Sequence, residues 1–298
     1  MWKRALTEAG VSDPGLRRDY TEQRRAVRRF ARAEYGAARL LLPGGLLPHV
    51  VAAVAFMHET DDRIDRGDRA ARAAALAEWD GLVRKAFVDG DAGLPVLRCL
   101  VHTAERHPAV RACTEEFLHG AAREVEWRAF ADEEEFGRYV REYSLPALML
   151  TACLIAPADA ADAALFTDGC HRLILAMQRL DFLEDLAEDV REGRHGLTTD
   201  AVARHGAELD RPGPALGRLV EEQADRAAGA LAEAGPLEGA VDPVHRPFVR
   251  ALVGVQRCLD AVRRAGASLA ARPSGPPALG TAALLLRETA ARRRAARP

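Results

Sequence analysis

Lysine is almost missing from this chain: of 42 basic residues, only Lys3 and Lys85 are not arginine. Those 42 cations meet 44 carboxylates, for a net charge of −2. That balance excludes a global electrostatic pull toward nucleic acid or an anionic membrane. Cysteine is sparse and odd in number, with Cys99, Cys113, Cys153, Cys170 and Cys258 scattered and no CxxC. This excludes a zinc ribbon or a thioredoxin-type pair, and it predicts buried free thiols in a reducing cytoplasm. No uninterrupted apolar run is long enough to cross a bilayer. Leu40 to Met57 is broken by Pro43, Gly44, Gly45, Pro48 and His49, and Leu145 to Pro157 is too short. The first ten residues, Met1 to Gly10, contain no apolar signal core. A soluble, cytoplasmic chain without a stable membrane span is expected. G-x-S-x-G, a Walker loop and G-x-G-x-x-G are also absent, which removes the usual hydrolase, nucleotide and nicotinamide signatures.

Helical periodicity is what the sequence does have. Apolar residues recur at helical spacing over Asp19–Leu42, Val50–Asp65, Arg69–Phe87, Leu94–Glu105, Ala109–Trp127, Glu133–Tyr143, Ala161–Arg191, Ala215–Ala234, Phe248–Gly266 and Ala282–Ala296. Short Pro/Gly breaks separate them, and Pro146 is expected to kink or divide the helix it interrupts. No hairpin signal or internal repeat occurs. The 298 residues therefore predict an all-α, single-domain bundle, with C-terminal helices over 215–296.

Two acidic stretches stand out. In Gln178-Arg-Leu-Asp181-Phe-Leu-Glu-Asp185-Leu-Ala-Glu-Asp189, three aspartates recur every four residues, so a helix lines them up on one face. Like charges at that spacing repel, and a divalent cation would relieve them. A solvated acidic face is the plain alternative. The second stretch, His58-Glu-Thr-Asp61-Asp-Arg-Ile-Asp65, repeats the DxxxD spacing on another apolar helix, 120 residues earlier. Two such pairs facing each other across a bundle would wall a cavity fit for Mg²⁺ and a diphosphate.

These stretches resemble the squalene/phytoene synthase family. The resemblance runs from about Ala31 to Gly206 and is carried by Ala55-Phe-Met-His-Glu-Thr-Asp-Asp-Arg-Ile-Asp65 and by Gln178 through Arg194, with a fainter echo between Asp242 and Gly266. It implies an isoprenoid-synthase-type helical bundle with a central cavity that ionises an allylic prenyl diphosphate with Mg²⁺. By this resemblance Asp61, Asp65, Asp185 and Asp189 match the family's acidic motifs. Asp181, where the family has Asn, joins them as a metal ligand. Gln178 and Arg194 match substrate-site residues, the arginine suited to gripping phosphate in a bidentate way. Tyr139 falls on a site tyrosine whose ring would face a carbocation, although a core tyrosine fits as well. Glu124 matches an acidic position, and His58 lies three residues before Asp61 on nearly the same face.

Departures from the family pattern are as informative as the matches. Val54, Gly196 and Val255 stand where the family has tyrosines, while His58 and Glu184 replace arginines. Head-to-head condensation must hold a second diphosphate and steer a rearranging cation, so losing cationic donors and aromatic faces predicts a different acceptor. The leading expectation is therefore prenyl transfer to a small, aromatic acceptor. Condensation of two farnesyl or geranylgeranyl diphosphates is the alternative, and a non-catalytic helical scaffold is the third. Expected partners are the prenyl diphosphate and the acceptor, in a monomer or homodimer.

Overall fold

In a computed structural model of the chain, residues 1–90, 93–253, 256–272 and 287–289 are described. Among them α-helix dominates, and the only β geometry is a single bridge between Phe130 and Thr198. In chain order the helices are α1 (Trp2–Glu8), α2 (Pro14–Phe30), α3 (Arg32–Leu41), α4 (Leu47–Ile64), α5 (Arg69–Asp89), α6 (Pro95–Arg106), α7 (Ala109–Glu126) and α8 (Glu133–Tyr139). They continue as α9 (Leu145–Ala152), α10 (Ala160–Glu184), α11 (Leu186–Arg191), α12 (Thr199–His205), α13 (Pro214–Glu233), α14 (Arg246–Val253) and α15 (Gln256–Ala265). Aspartates set several of the starts. Asp13, Asp68, Asp132 and Asp159 each accept a hydrogen bond from a first-turn amide, satisfying donors that have no partner inside the helix.

Three predicted helices are divided. Asp19–Leu42 is two helices, because Ala31 leaves the helical region at φ −115°, ψ 59°. Ala161–Arg191 is interrupted at Asp185. Between α8 and α9, residues Val140–Ser144 form a π turn in which the Leu145 N–H reaches back to the Val140 carbonyl. Pro146 explains that turn: its ring crowds the carbonyl four residues back, and it brings no N–H, so the preceding turn widens by one residue. Two short helices, α1 and α12, lie in segments where no helix is predicted. The expected final helix, Ala282–Ala296, and Val255 lie outside the described residues, apart from the helical residues 287–289.

The chain divides into two compact units. The first comprises Met1–Glu126, Pro146–Ala156 and Asp242–Phe248. Here α2, α4 and α6 pack together, with α5 on α4 and α7 on α5. Its core includes Leu6, Val11, Tyr20, Ala52 and Cys99, and it also buries a polar network. The Tyr20 hydroxyl lies 3.0 Å from the Cys99 carbonyl, 3.0 Å from His102 Nδ1 and 2.9 Å from Thr103 Oγ1, and His49 Nδ1 is 3.1 Å from the same threonine hydroxyl. Burial pushes the His49 pKa down to about 3, with His107 and His102 adding repulsion, so the ring is neutral.

The second unit comprises Trp127–Leu145, Pro157–Val241 and Val249–Pro298, and α10 against α13 forms its spine. An aromatic cluster of Trp127, Phe130, Phe136, Tyr139 and Phe182 fills its core. The Arg179 guanidinium, 7% exposed, is held by Glu133 at 2.6 and 3.1 Å, by Gln223, and by the Phe136 ring at 4.3 Å. Four cysteines of the described residues are free thiols, three of them buried, as the sequence predicts. No helix among the described residues is long and apolar enough to cross a membrane.

Candidate active site

In the first unit, α4 carries Asp61 in its last turn and Asp65 at its C-cap. Its buried row of Ala52, Phe56, Thr60 and Ile64 docks on the core, which turns the adjacent row holding the two aspartates outward. Trp79, fully buried, donates through Nε1 to Thr60 Oγ1 at 2.8 Å, and Thr60 donates to the Phe56 carbonyl at 2.9 Å. The helix is thereby fixed in rotation. Asp61 is half-buried and Asp65 exposed, and the Asp65 amide bonds the Asp61 carbonyl at 2.9 Å. Arg72 fixes the end of α4: Nε donates to the Ile64 carbonyl, and Nη2 donates to the Glu124 carbonyl at 3.2 Å. Glu124, half-buried near the end of α7, is thus tied through Arg72 to the turn bearing Asp65. In the sequence Arg72 is one of several arginines in and before an alanine-rich run, a signal too weak to single it out. His58 stacks on Phe30, with ring centroids 3.6 Å apart.

In the second unit the acidic row is graded. Asp181 and Asp185 are exposed, whereas Asp189 is only 5% exposed. The break at Asp185 (φ −95°, ψ 4°) keeps the row in register, because the Asp185 amide still reaches the Asp181 carbonyl at 2.9 Å and the Asp189 amide reaches Asp185 at 3.0 Å. Although it reaches solvent, the Asp185 carboxyl is pushed above the ordinary carboxylate range, first by partial desolvation and then by Glu188, with Arg194 opposing. Arg194, matched by resemblance to a phosphate-gripping arginine, is engaged by carboxylates of its own motif. It pairs with Asp189 at 3.1 Å and Glu192 at 3.1 Å, lies 5.2 Å over the Trp127 ring, and balances the buried aspartate of its own motif.

Gln178 is held from both sides. Its Oε1 accepts from the buried Ser144 hydroxyl at 2.9 Å, and its Nε2 donates to Asp181 Oδ2 at 3.3 Å. The π turn presents Ser144 to α10, and its only mark in the sequence is the proline two residues on. Tyr139 is 6% exposed and ringed by Trp127, Phe130, Phe182 and Tyr143, which makes it a core residue. Tyr143, one turn later and half-buried, has the more accessible ring. Gly196, where the family has a tyrosine, has no room for a side chain: a Cβ there would overlap the Phe182 ring.

Among the described residues, no three His, Cys, Asp or Glu side chains converge closely enough to form a cage for an ion. The donors do suit a hard cation, because both segments offer carboxylate oxygens at helical spacing. Mg²⁺ keeps most of its waters and takes one or two carboxylates plus substrate phosphate, so it needs no closed cage. The residues fit that ion.

Two helix-borne carboxylate pairs on an all-α chain describe a broad class of helical proteins with acidic faces. Comparison with known proteins narrows the class. The family model for squalene/phytoene synthase matches residues 27–279, and the chain belongs to that family. Phytoene synthases of Mycobacterium bovis and Mycobacterium tuberculosis are each 29% identical over 210 residues, covering 68% of this chain and 67% of theirs. Among solved structures, a dehydrosqualene synthase in complex with a ligand superposes with a TM-score of 0.79 at 20% identity, over 94% of this chain and 98% of that one. Squalene synthase HpnC from Alicyclobacillus acidocaldarius gives 0.74 at 24% identity, over 87% and 98%. At such identities these structures establish the fold, which is the squalene-synthase type of helical fold.

Proposed function

We propose that this chain catalyses the Mg²⁺-dependent head-to-head condensation of two allylic prenyl diphosphates, of the farnesyl or geranylgeranyl class. The family match across 27–279, with both DxxxD pairs inside it, carries this reading. It displaces the aromatic acceptor that the substitutions in the motifs favour, because the curated relatives are phytoene synthases.

Bound magnesium would neutralise the charge that builds on a departing diphosphate and orient it. Asp61 and Asp65 on α4, with Asp181, Asp185 and Asp189 on α10 and α11, would hold the ions. Gln178, oriented by Ser144, would fix the Asp181 carboxylate. Arg194 would supply the counter-charge for the buried Asp189 carboxylate. Glu124 and His58 would flank the first pair. Tyr143 and the face of the aromatic cluster around Tyr139 would supply the electron-rich surface that a carbocation needs.

A second reading keeps one specific support. Glu184 stands where the family has an arginine, and a carboxylate there repels a second diphosphate. That observation favours transfer of one prenyl group to a neutral, aromatic acceptor. One experiment separates the two: purified protein is incubated with Mg²⁺ and C15 or C20 diphosphate, alone and with aromatic co-substrates, and extracts are examined by mass spectrometry. A C30 or C40 hydrocarbon from a single substrate is expected. Turnover only with an aromatic partner would replace the first reading by the second. No diphosphate release under any condition would leave a helical scaffold.

A further inference from the structure

The first unit contains a cavity of about 510 Å³ that none of the acidic motifs line. Its walls come from α1, α2, α3 and the start of α4, and they bring Arg4, Arg24, Arg28 and Arg39 together with Trp2 and Tyr35. Such a volume falls in the range of small-ligand sites. Glu8, the carboxylate on the wall, is engaged by Arg4 at 2.7 Å. Among the described residues, the other three guanidiniums have no carboxylate at ion-pair distance. Arg24 lies 4.8 Å over the Trp2 ring, Arg28 lies 5.8 Å over Tyr35, and Arg39 Nη2 touches only the weakly accepting Met1 sulfur at 3.5 Å. Arg24 Nε is buried with no hydrogen-bond partner.

Half-buried Arg98, on the neighbouring α6, is matched by Asp19, whereas Arg24, half-buried to a similar degree, has no such carboxylate among the described residues. Collecting like charges around one cavity is unfavourable unless an anion joins them. Stacking on an aromatic face fixes the guanidinium plane and leaves its N–H edge for planar, bidentate contacts to phosphate. Trp2 is itself held, its Nε1 donating to Thr21 Oγ1 at 3.1 Å. We infer that this cavity binds a phosphate-bearing anion of about diphosphate size. The site is separate from the first acidic pair. Leu47 lines it, and Asp61 lies fourteen residues further along α4, roughly 21 Å at 1.5 Å per residue.

Titration calorimetry with inorganic diphosphate in EDTA, where the carboxylate motifs have no metal, tests the assignment. Co-sedimentation with phosphatidylglycerol vesicles tests whether the phosphate is carried by a lipid headgroup instead. Saturable binding by the wild type is expected, weakened roughly tenfold or more in Arg24→Gln/Arg39→Gln by loss of two charge-assisted contacts. Arg25→Gln/Arg29→Gln, which removes the same charge from α2 outside the cavity, should bind as the wild type does. Arg39→Gln alone, at an exposed position, should fold normally and still weaken binding. The same variant pattern with vesicles only would support the assignment with a headgroup as the source. Equal loss in both double variants would reduce the effect to diffuse surface charge and overturn it, as would no binding in either arm.

Discussion

The two acidic segments share a spacing but not a construction. Asp61 rides the last turn of the unbroken α4 and Asp65 caps its end; Trp79 and Thr60 set the helix rotation from behind and Arg72 ties down its end. On α10 and α11 the helix breaks under the middle aspartate, the last one is buried, and Arg194 of the same motif compensates it. One segment is positioned by the core beneath it. The other carries its own counter-charge and an oriented amide. Identical sequence spacing thus permits different local electrostatics, and the second segment has more ways to fail.

The largest expected effect treats the segments alike. Asp61→Asn and Asp185→Asn should each lower turnover by roughly 10³-fold or more, at unchanged helicity by circular dichroism. If both aspartates serve the same reaction, the double variant should be little worse than either single one. A fully active single variant would end the assignment of that segment. Gly196→Ala comes next and sets the segments apart. The added methyl must displace Phe182 from the core behind α10, costing about 3 kcal/mol in chemical denaturation. Wild-type stability would show that the ring has somewhere else to go.

Acid should distinguish the cores that support the segments. His49 is neutral when folded and protonates near 6.5 when unfolded, so between about pH 6.5 and 3 only the unfolded chain takes up its proton. Its contribution is complete above that window and falls as pH drops, by a few kcal/mol at most, and His102 and His107, also lowered, act in the same direction. Denaturation curves at pH 7.5 and 4.5 should show the loss, and His49→Gln should flatten it; an unchanged slope would exclude the histidine cluster as the cause. The smallest effect sharpens the second segment. Ser144→Ala removes one hydrogen bond to Gln178 and should cost roughly tenfold in kcat with less than about 1.5 kcal/mol of stability. An intact kcat would make Ser144 a packing residue only.

Most helices were legible because their apolar residues keep a 3.6-residue period and their ends carry aspartate caps, proline or glycine. Both acidic motifs were legible for the same reason, since spacing alone puts carboxylates on one face. Less legible were features decided by distant partners. Ala31 is a good helix former yet ends α2. Arg194 looks free in sequence because the burial of Asp189 is a tertiary fact. Gly196 reads as a lost tyrosine until Phe182 is seen in that space. Tyr139 matched a site position, but the neighbouring aromatic residues draw it into the core.

The widened turn at Val140–Ser144 also has a consequence for the chain's history. A π turn absorbs one extra residue within a single wider turn, so the helix on either side keeps its facing while side chains inside the turn are redirected. A homologue lacking that residue would aim the counterpart of Ser144 away from its glutamine, so length variation at this point should travel with changes at position 178.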